Sequence, residues 1–209
     1  NTEKTVYLIR HGVTDWNKNN RCMGQQDVAL NAEGRAQARA VADYFADRPL
    51  DRVVASDLRR TRETAAPLCE QKGLRLQTDT RLREICYGEL EGLTPEEWPD
   101  RFPDLMRTWS FDAYEMAPPG GESRRELIER SAAVLEARTA GDGATVALVA
   151  HGGTITALLS YVIFQSADLP VNRSLGVFRV NNGSVTTLSR RGDRWRIHGV
   201  NYPIAAGSK

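Results

Sequence analysis

Cysteine and histidine are both scarce in this 209-residue chain, with three of each. Cys22, Cys69 and Cys86 are odd in number, widely spaced and free of any CxxC pair, so they fit neither a zinc site nor a disulfide framework. They read as reduced thiols of a cytoplasmic protein. An excess of charge is also missing: 28 Lys and Arg face 27 Asp and Glu, so nothing points to nucleic acid or a membrane as partner. No apolar run approaches a membrane span, and no basic-then-apolar signal segment stands at the start. The chain does not begin with Met, so residue 1 need not be the native start. Phosphate-binding loops of the GxxxxGK[ST] type and dinucleotide motifs of the GxGxxG type are absent, which argues against nucleotide cofactors. No spacing of metal ligands occurs, so neither a metal nor another cofactor is expected.

What the chain does have is two histidines in matched settings. Val6-Tyr7-Leu8-Ile9 runs into Arg10-His11-Gly12, and Val146-Ala147-Leu148-Val149-Ala150 runs into His151-Gly152. Each run is apolar and β-branched enough for a buried strand of a parallel sheet. Turn and helix signals follow each of them. Both imidazoles therefore fall at the carboxyl ends of strands, the edge of an open α/β sheet where ligands bind.

Between these strands the pattern alternates. Asn31 caps a helix with Ala38, Val41, Ala42 and Phe45 on its apolar stripe. Arg52–Ala55 reads as a short strand, followed by Ser56. A helix through Thr61, Ala65 and Leu68 comes next, kinked or divided by Pro67 and stopped by Gly73. Leu74-Arg75-Leu76 reads as a short strand. From Thr94 to Gly121 the texture changes to prolines and aromatics without a long period, an insertion with short helices packed over the sheet edge. Ser123-Arg124-Arg125-Glu126 is a capping box, opening a helix whose core face holds Leu127, Ser131, Val134 and Leu135. Thr154 is placed to cap a helix with Ile155, Leu158, Leu159 and Val162. Terminal strands are expected at Leu175–Arg179, Val185–Ser189 and Arg194–His198, with Asn182-Gly183 as a hairpin turn. The alternation predicts a single α/β domain over 1–209, with the insertion at about 94–121.

Three strand ends thus bring together Arg10 and His11, Ser56 with Arg59 and Arg60 beyond it, and His151. Cations and imidazoles on one edge suit a phosphoryl group. The glycines after each histidine let a ligand approach the backbone.

Taken in order, these motifs resemble the histidine phosphatase superfamily, which includes the cofactor-dependent phosphoglycerate mutases. The RHGxTxWN pattern stands as Arg10-His11-Gly12-Val13-Thr14-Asp15-Trp16-Asn17. Arg21-Cys22-Met23-Gly24-Gln25-Gln26-Asp27 follows, then Leu30-Asn31-Ala32-Glu33-Gly34. Ser56-Asp57-Leu58-Arg59-Arg60-Thr61, Leu82-Arg83-Glu84-Ile85-Cys86-Tyr87-Gly88 with Glu91-Gly92, Gly120-Gly121-Glu122-Ser123 and Val149-Ala150-His151-Gly152 complete the match. The resemblance implies a three-layer α/β/α fold with a central, mostly parallel sheet and the insertion over its carboxyl-end edge. It also implies a metal-independent phosphomonoester hydrolase acting on a small phosphorylated metabolite.

On that resemblance His11 is the nucleophile, attacking as neutral imidazole to form a phosphohistidine. Arg10, Arg60 and His151 hold the equatorial phosphoryl oxygens, with Asn17 adding a neutral donor. Glu84 is the proton donor to the leaving oxygen, with Glu89 and Glu91 as nearby rivals. Met23, Gly24, Tyr87 and Trp98 are candidates for the substrate-pocket wall. Arg59 reads as a surface ion pair and His198 as structural.

A phosphoglycerate mutase is the alternative activity, and a silent phospho-ligand or phosphoprotein binder the alternative class. Met23 stands where mutases carry a small hydroxyl residue, Pro95 where they carry a Lys, and the insertion has only the separated Arg101 and Arg107. These departures favour hydrolysis. Retention of both His11 and Glu84 disfavours a silent binder. Neither the identity of the phosphomonoester nor whether the chain forms a homo-oligomer is legible in the residues.

Overall fold

The computed structural model describes residues 3–110, 114–140, 144–165 and 178–204. Its centre is a six-stranded sheet in the order β3-β2-β4-β1-β5-β6. The strands are β1 (Lys4–Arg10), β2 (Arg52–Ala55), β3 (Leu76–Thr78), β4 (Thr145–Ala150), β5 (Val185–Arg191) and β6 (Arg194–Tyr202). β3, β2, β4 and β1 pair in parallel, and β5 and β6 add on in antiparallel fashion, so the sheet is mixed and mostly parallel.

Alternation along the central strands builds two cores. Val6 and Leu8 of β1 and Val146 and Leu148 of β4 face one side. There they meet α6 (Arg124–Thr139) through Val134 and Leu135, and α7 (Gly152–Phe164) through Ile155, Leu158 and Leu159. Ile9, Ala147 and Val149 face the other side. There they meet α2 (Ala32–Tyr44), extended by Phe45, and α3 (Arg59–Lys72) through Ala65 and Leu68. Burial on both faces explains why β4 reads as an unbroken apolar run; each such Val or Leu contributes about 1.5–3 kcal/mol. The remaining short helices are α1 (Asp15–Lys18), α4 (Trp98–Arg101) and α5 (Leu105–Thr108). Trp98 and Trp109 pack edge to face in a third cluster with Ile85, Leu127 and Ala157. No helix among the described residues is long and apolar enough to cross a membrane.

Asn31 caps α2 by accepting the Gly34 amide, and the capping box of Ser123 and Glu126 forms at α6. Three expectations need correction, and a fourth is narrowed. Of kinking or dividing at Pro67, division is excluded: Pro67 lies inside one helix, since only one helical hydrogen bond is lost while Thr64, Ala65, Leu68 and Cys69 on either side stay buried. The strand after Gly73 lies at Leu76–Thr78, two residues later than Leu74, in parallel register with Val53–Ala55. Thr154 is not the cap of α7; His151 holds that position, and the Thr154 hydroxyl donates to the Arg83 carbonyl instead. Asn182-Gly183 does not join two strands of a described hairpin: 178–180 are not strand, and residues 175–177 lie outside the described set. The hairpin forms one connection later, between β5 and β6, with Gly192 at φ +60°.

Candidate active site

Parallel pairing of β1 with β4 sets Arg10 opposite Ala150. The His11 amide then donates to the Ala150 carbonyl at 3.0 Å, so the chain leaves both strands side by side. The rings of His11 and His151 meet at 5.3 Å between centroids, tilted by 59°. Both are buried. Burial, joined by the Arg60 and Arg10 charges, pushes each imidazole well below its usual pKa. Both rings are therefore neutral at pH 7.

His11 Nδ1 sits 2.7 Å from the Gly12 carbonyl oxygen. A carbonyl can only accept, so Nδ1 carries the hydrogen and Nε2 keeps its lone pair. The loop that fixes this ring is held from several sides. Thr64 Oγ1 accepts the Gly12 amide at 3.0 Å, and Gln37 Oε1 accepts the Val13 amide at 2.8 Å. Asn182 Nδ2 donates to the His11 carbonyl at 3.0 Å. A Cβ on Gly12 would lie 2.5 Å from the Gly34 carbonyl, so the loop presses on the first turn of α2 and needs glycine at both places.

Arg60 comes from the first turn of α3, at the end of β2. It is fully buried. Nη1 donates to the Gln26 carbonyl at 2.6 Å and Nη2 to the Gly24 carbonyl at 2.7 Å. Burial lowers its pKa to about 10, which leaves it a cation at neutral pH. Arg10 Nη1 donates to the Val180 carbonyl. The Nε atoms of Arg10 and Arg60 and both ring nitrogens of His151 are buried with no hydrogen-bond partner among the described residues. Buried polar groups are nearly always paired, so this unmet capacity beside His11 suits the oxygens of an anion.

Glu84 brings the opposite charge. Its Oε2 accepts the Gly153 amide at 3.0 Å, and its Oε1 accepts the Thr154 amide at 3.1 Å and the Ile85 amide at 2.9 Å. The carboxylate thus sits on the positive end of α7, next to His151. Its rivals are placed elsewhere. Glu89 is exposed. Glu91 accepts the amides of Gln25 at 2.9 Å and Tyr87 at 3.0 Å, bracing the loop that holds Arg60.

A cleft of about 190 Å³ opens over part of this set; His151, fully buried, is not among its lining residues. Arg10, His11, Arg60 and Glu84 line it, as do the proposed wall residues Met23, Gly24, Tyr87 and Trp98. Asn17 is not among the lining residues: its carboxamide oxygen accepts the Thr14 amide at 3.0 Å in the capping box of α1. Arg59 pairs with Glu63 on the surface at 2.6 Å. His198 contacts Ser189 Oγ on the edge of the sheet, far along the chain from the cleft residues. Arg21 also lines the cleft, a placement the residue types alone did not single out. Its only signal was its place at the head of the motif Arg21–Asp27.

The arrangement brings a neutral imidazole, two guanidinium cations and one carboxyl group together at one sheet edge. Comparison with known proteins gives the family. The histidine phosphatase superfamily (branch 1) matches residues 6–203. Glucosyl-3-phosphoglycerate phosphatase of Mycobacterium tuberculosis is 38% identical over 195 residues, covering 89% of this chain and 85% of that protein. Phosphoglycerate mutase-like protein 4 of Arabidopsis thaliana is 33% identical over 196 residues, covering 90% and 84%. The solved mycobacterial glucosyl-3-phosphoglycerate phosphatase in complex with VO3 aligns with a TM-score of 0.83 at 36% identity, covering 96% of this chain and 100% of that one. The chain belongs to the histidine phosphatase superfamily, branch 1, and is a phosphatase.

Proposed function

We propose that the protein hydrolyses a small phosphorylated metabolite through a phosphohistidine on His11, without a metal ion. The observation that carries this reading is a buried His11 ring whose Nε2 keeps its lone pair, 5.3 Å from the His151 ring, in a site that also holds the partnerless Nε atoms of Arg10 and Arg60. Nε2 attacks phosphorus, the N–P bond forms, and the P–O bond to the leaving alcohol breaks. Glu84 gives its proton to the departing oxygen. Water then attacks phosphorus, its proton passes to Glu84, and the N–P bond breaks to release phosphate. Arg10 and Arg60 supply the fixed positive charge that a metal ion supplies in other phosphoryl-transfer sites. Relatives named for glucosyl-3-phosphoglycerate act on a phosphorylated small molecule, which supports a substrate of that class here. On the same reading the chain is one domain, and residues 94–121 are an insertion that contributes Pro95 and Trp98 to the cleft wall.

Rapid quench with a labelled phosphomonoester, in the presence of a chelator, tests this. The label should be trapped as an acid-labile, base-stable phosphoryl group, and His11→Ala should abolish both trapping and turnover. Trapping on Ser56 or a cysteine, or turnover that depends on added Mg²⁺ or Zn²⁺, would overturn the reading.

A further inference from the structure

Glu84 sits on a stretch without regular hydrogen-bonded structure, between a 3₁₀ turn at Thr80–Leu82 and another at Gly88–Leu90. A catalytic carboxyl on such a stretch needs its backbone held from outside. Arg130, on α6, does this. Its Nη1 donates to the carbonyls of Arg81 at 2.8 Å and Arg83 at 2.7 Å. Its Nη2 donates to the carbonyl of Glu84 at 2.9 Å and to Glu122 Oε1, and its Nε donates to Glu122 Oε2 at 2.9 Å. A guanidinium has five N–H donors, and all five are used. Glu122 completes the grip: its Oε1 accepts the Cys86 amide at 2.9 Å, and its own amide donates to the Cys86 carbonyl at 2.9 Å. Five backbone groups around Glu84 are therefore tied to one ion pair, whose side chains are only 20% and 16% exposed. Among the described residues, the pair's hydrogen bonds reach the cleft lining at Glu84, through its backbone carbonyl.

We propose that Arg130 and Glu122 form a positioning pair for Glu84, holding its backbone so that the carboxyl stays seated on α7 and in line with the leaving oxygen. This rests on the assignment of Glu84 as proton donor. Two features make the pair hard to replace by generic packing. The carbonyls of Arg81, Arg83 and Glu84 and both Glu122 carboxylate oxygens make five acceptors, which the five donors of a planar guanidinium meet and the three of a Lys ammonium cannot. Glu122 also fixes the far end of the segment at Cys86, so Arg130 and Glu122 bracket Glu84 from both sides. A misplacement of about 1 Å in a catalytic group can cost about a hundred-fold in rate.

The test compares two leaving groups in Arg130→Lys, Glu122→Gln and Glu84→Gln. An alkyl phosphate needs a proton on its leaving oxygen, and p-nitrophenyl phosphate hardly does. Single-turnover phosphoenzyme formation isolates that step. With Arg130→Lys we expect about ten- to a hundred-fold loss on the alkyl phosphate and under about three-fold loss on p-nitrophenyl phosphate, the same selective pattern as Glu84→Gln. Adding Arg130→Lys to Glu84→Gln should then cause little further loss. Equal losses on both substrates in Arg130→Lys, with Glu84→Gln still selective, would overturn the positioning role and leave the acid assignment standing. Equal losses in Glu84→Gln itself would overturn the acid assignment and the pair's role with it. If Arg130→Lys does not fold, Glu122→Gln, which keeps the shape and weakens the grip, decides by the same two criteria.

Discussion

The Glu84 carboxylate and the Gly153 amide lie 3.0 Å apart although 69 positions separate them in sequence. A Cβ on Gly153 would fall 2.4 Å from Glu84 Oε1. The atom in the way is the tip of a flexible side chain, so the fold can yield there cheaply. Alanine also favours the helix over glycine by about 0.5–1 kcal/mol. Gly153→Ala should therefore keep or raise the Tm while unseating the carboxyl, lowering kcat on alkyl phosphates by about ten-fold or more. Full activity in a well-folded Gly153→Ala protein would show that the seat on α7 does not matter for turnover.

A tighter contact behaves differently. A Cβ on Gly34 would lie 2.1 Å from the Val13 carbonyl, which is backbone and cannot swing aside. Gly34→Ala should cost about 1–3 kcal/mol of stability or more, and should disturb the His11 loop as well. Gly73→Ala is the control: nothing lies within 4 Å of its Cβ, and φ is +63°. It should cost about 1–2 kcal/mol through left-handed strain alone and leave kcat unchanged. Urea denaturation of both variants, with kcat measured alongside, separates the two cases.

Stability should fall on mild acidification. His11 and His151 have native pKa values well below 6.5, and in the unfolded chain they return to about 6.5. Above that pH both states are neutral and the histidines make no difference. Below it the unfolded chain binds protons that the native state refuses, so stability drops by up to about 1.4 kcal/mol per pH unit for each ring. Urea midpoints measured from pH 7.5 to pH 5 should show this slope, and His151→Ala should flatten it. Asp57 acts in a different window. The Arg83 hydrogen bonds hold its carboxyl below 3.8, so its contribution is present above that value and lost only at lower pH.

Hydrolysis should outrun isomerisation. A mutase must keep hold of a doubly phosphorylated intermediate while it turns over. Beyond Arg10 and Arg60, the cleft lining among the described residues contains one more cation, Arg21, whose Nη1 is already spent on the Gly92 carbonyl at 2.7 Å. Met23 and Pro95 also face the cleft. With 3-phosphoglycerate and catalytic bisphosphoglycerate, formation of the 2-isomer should be slow against phosphate release from a good monoester. Fast interconversion without comparable release from any monoester would make the chain a mutase.

The strand ends carrying His11 and His151 were readable because an apolar run followed by His-Gly is a local signal. The pair Arg59-Arg60 after β2 was legible in the same way, but the choice of Arg60 rested on the family resemblance. Arg130 and Glu122 were not read as partners, because nothing local distinguishes a mid-helix arginine that grips three carbonyls from one that faces water. At Pro67 the local rule allows a break, but the buried residues on either side keep the helix continuous. The residue type of Thr154 suits a cap, yet the preceding backbone starts α7 at Gly152 and frees its hydroxyl for Arg83. Interactions set by tertiary packing leave no trace at the spacing where patterns are sought.

The place of β1 between β4 and β5 has a consequence for synthesis on the ribosome. Both of its neighbours are made more than a hundred residues later, so Val6, Leu8 and Ile9 stay without sheet partners for most of translation. Contacts of such long sequence separation are slow to form. The two histidines come together only when this last central pairing closes. Recovery of phosphatase activity during refolding is thus a clock for the most distant step of assembly, while helix formation in α2 and α3 runs ahead of it.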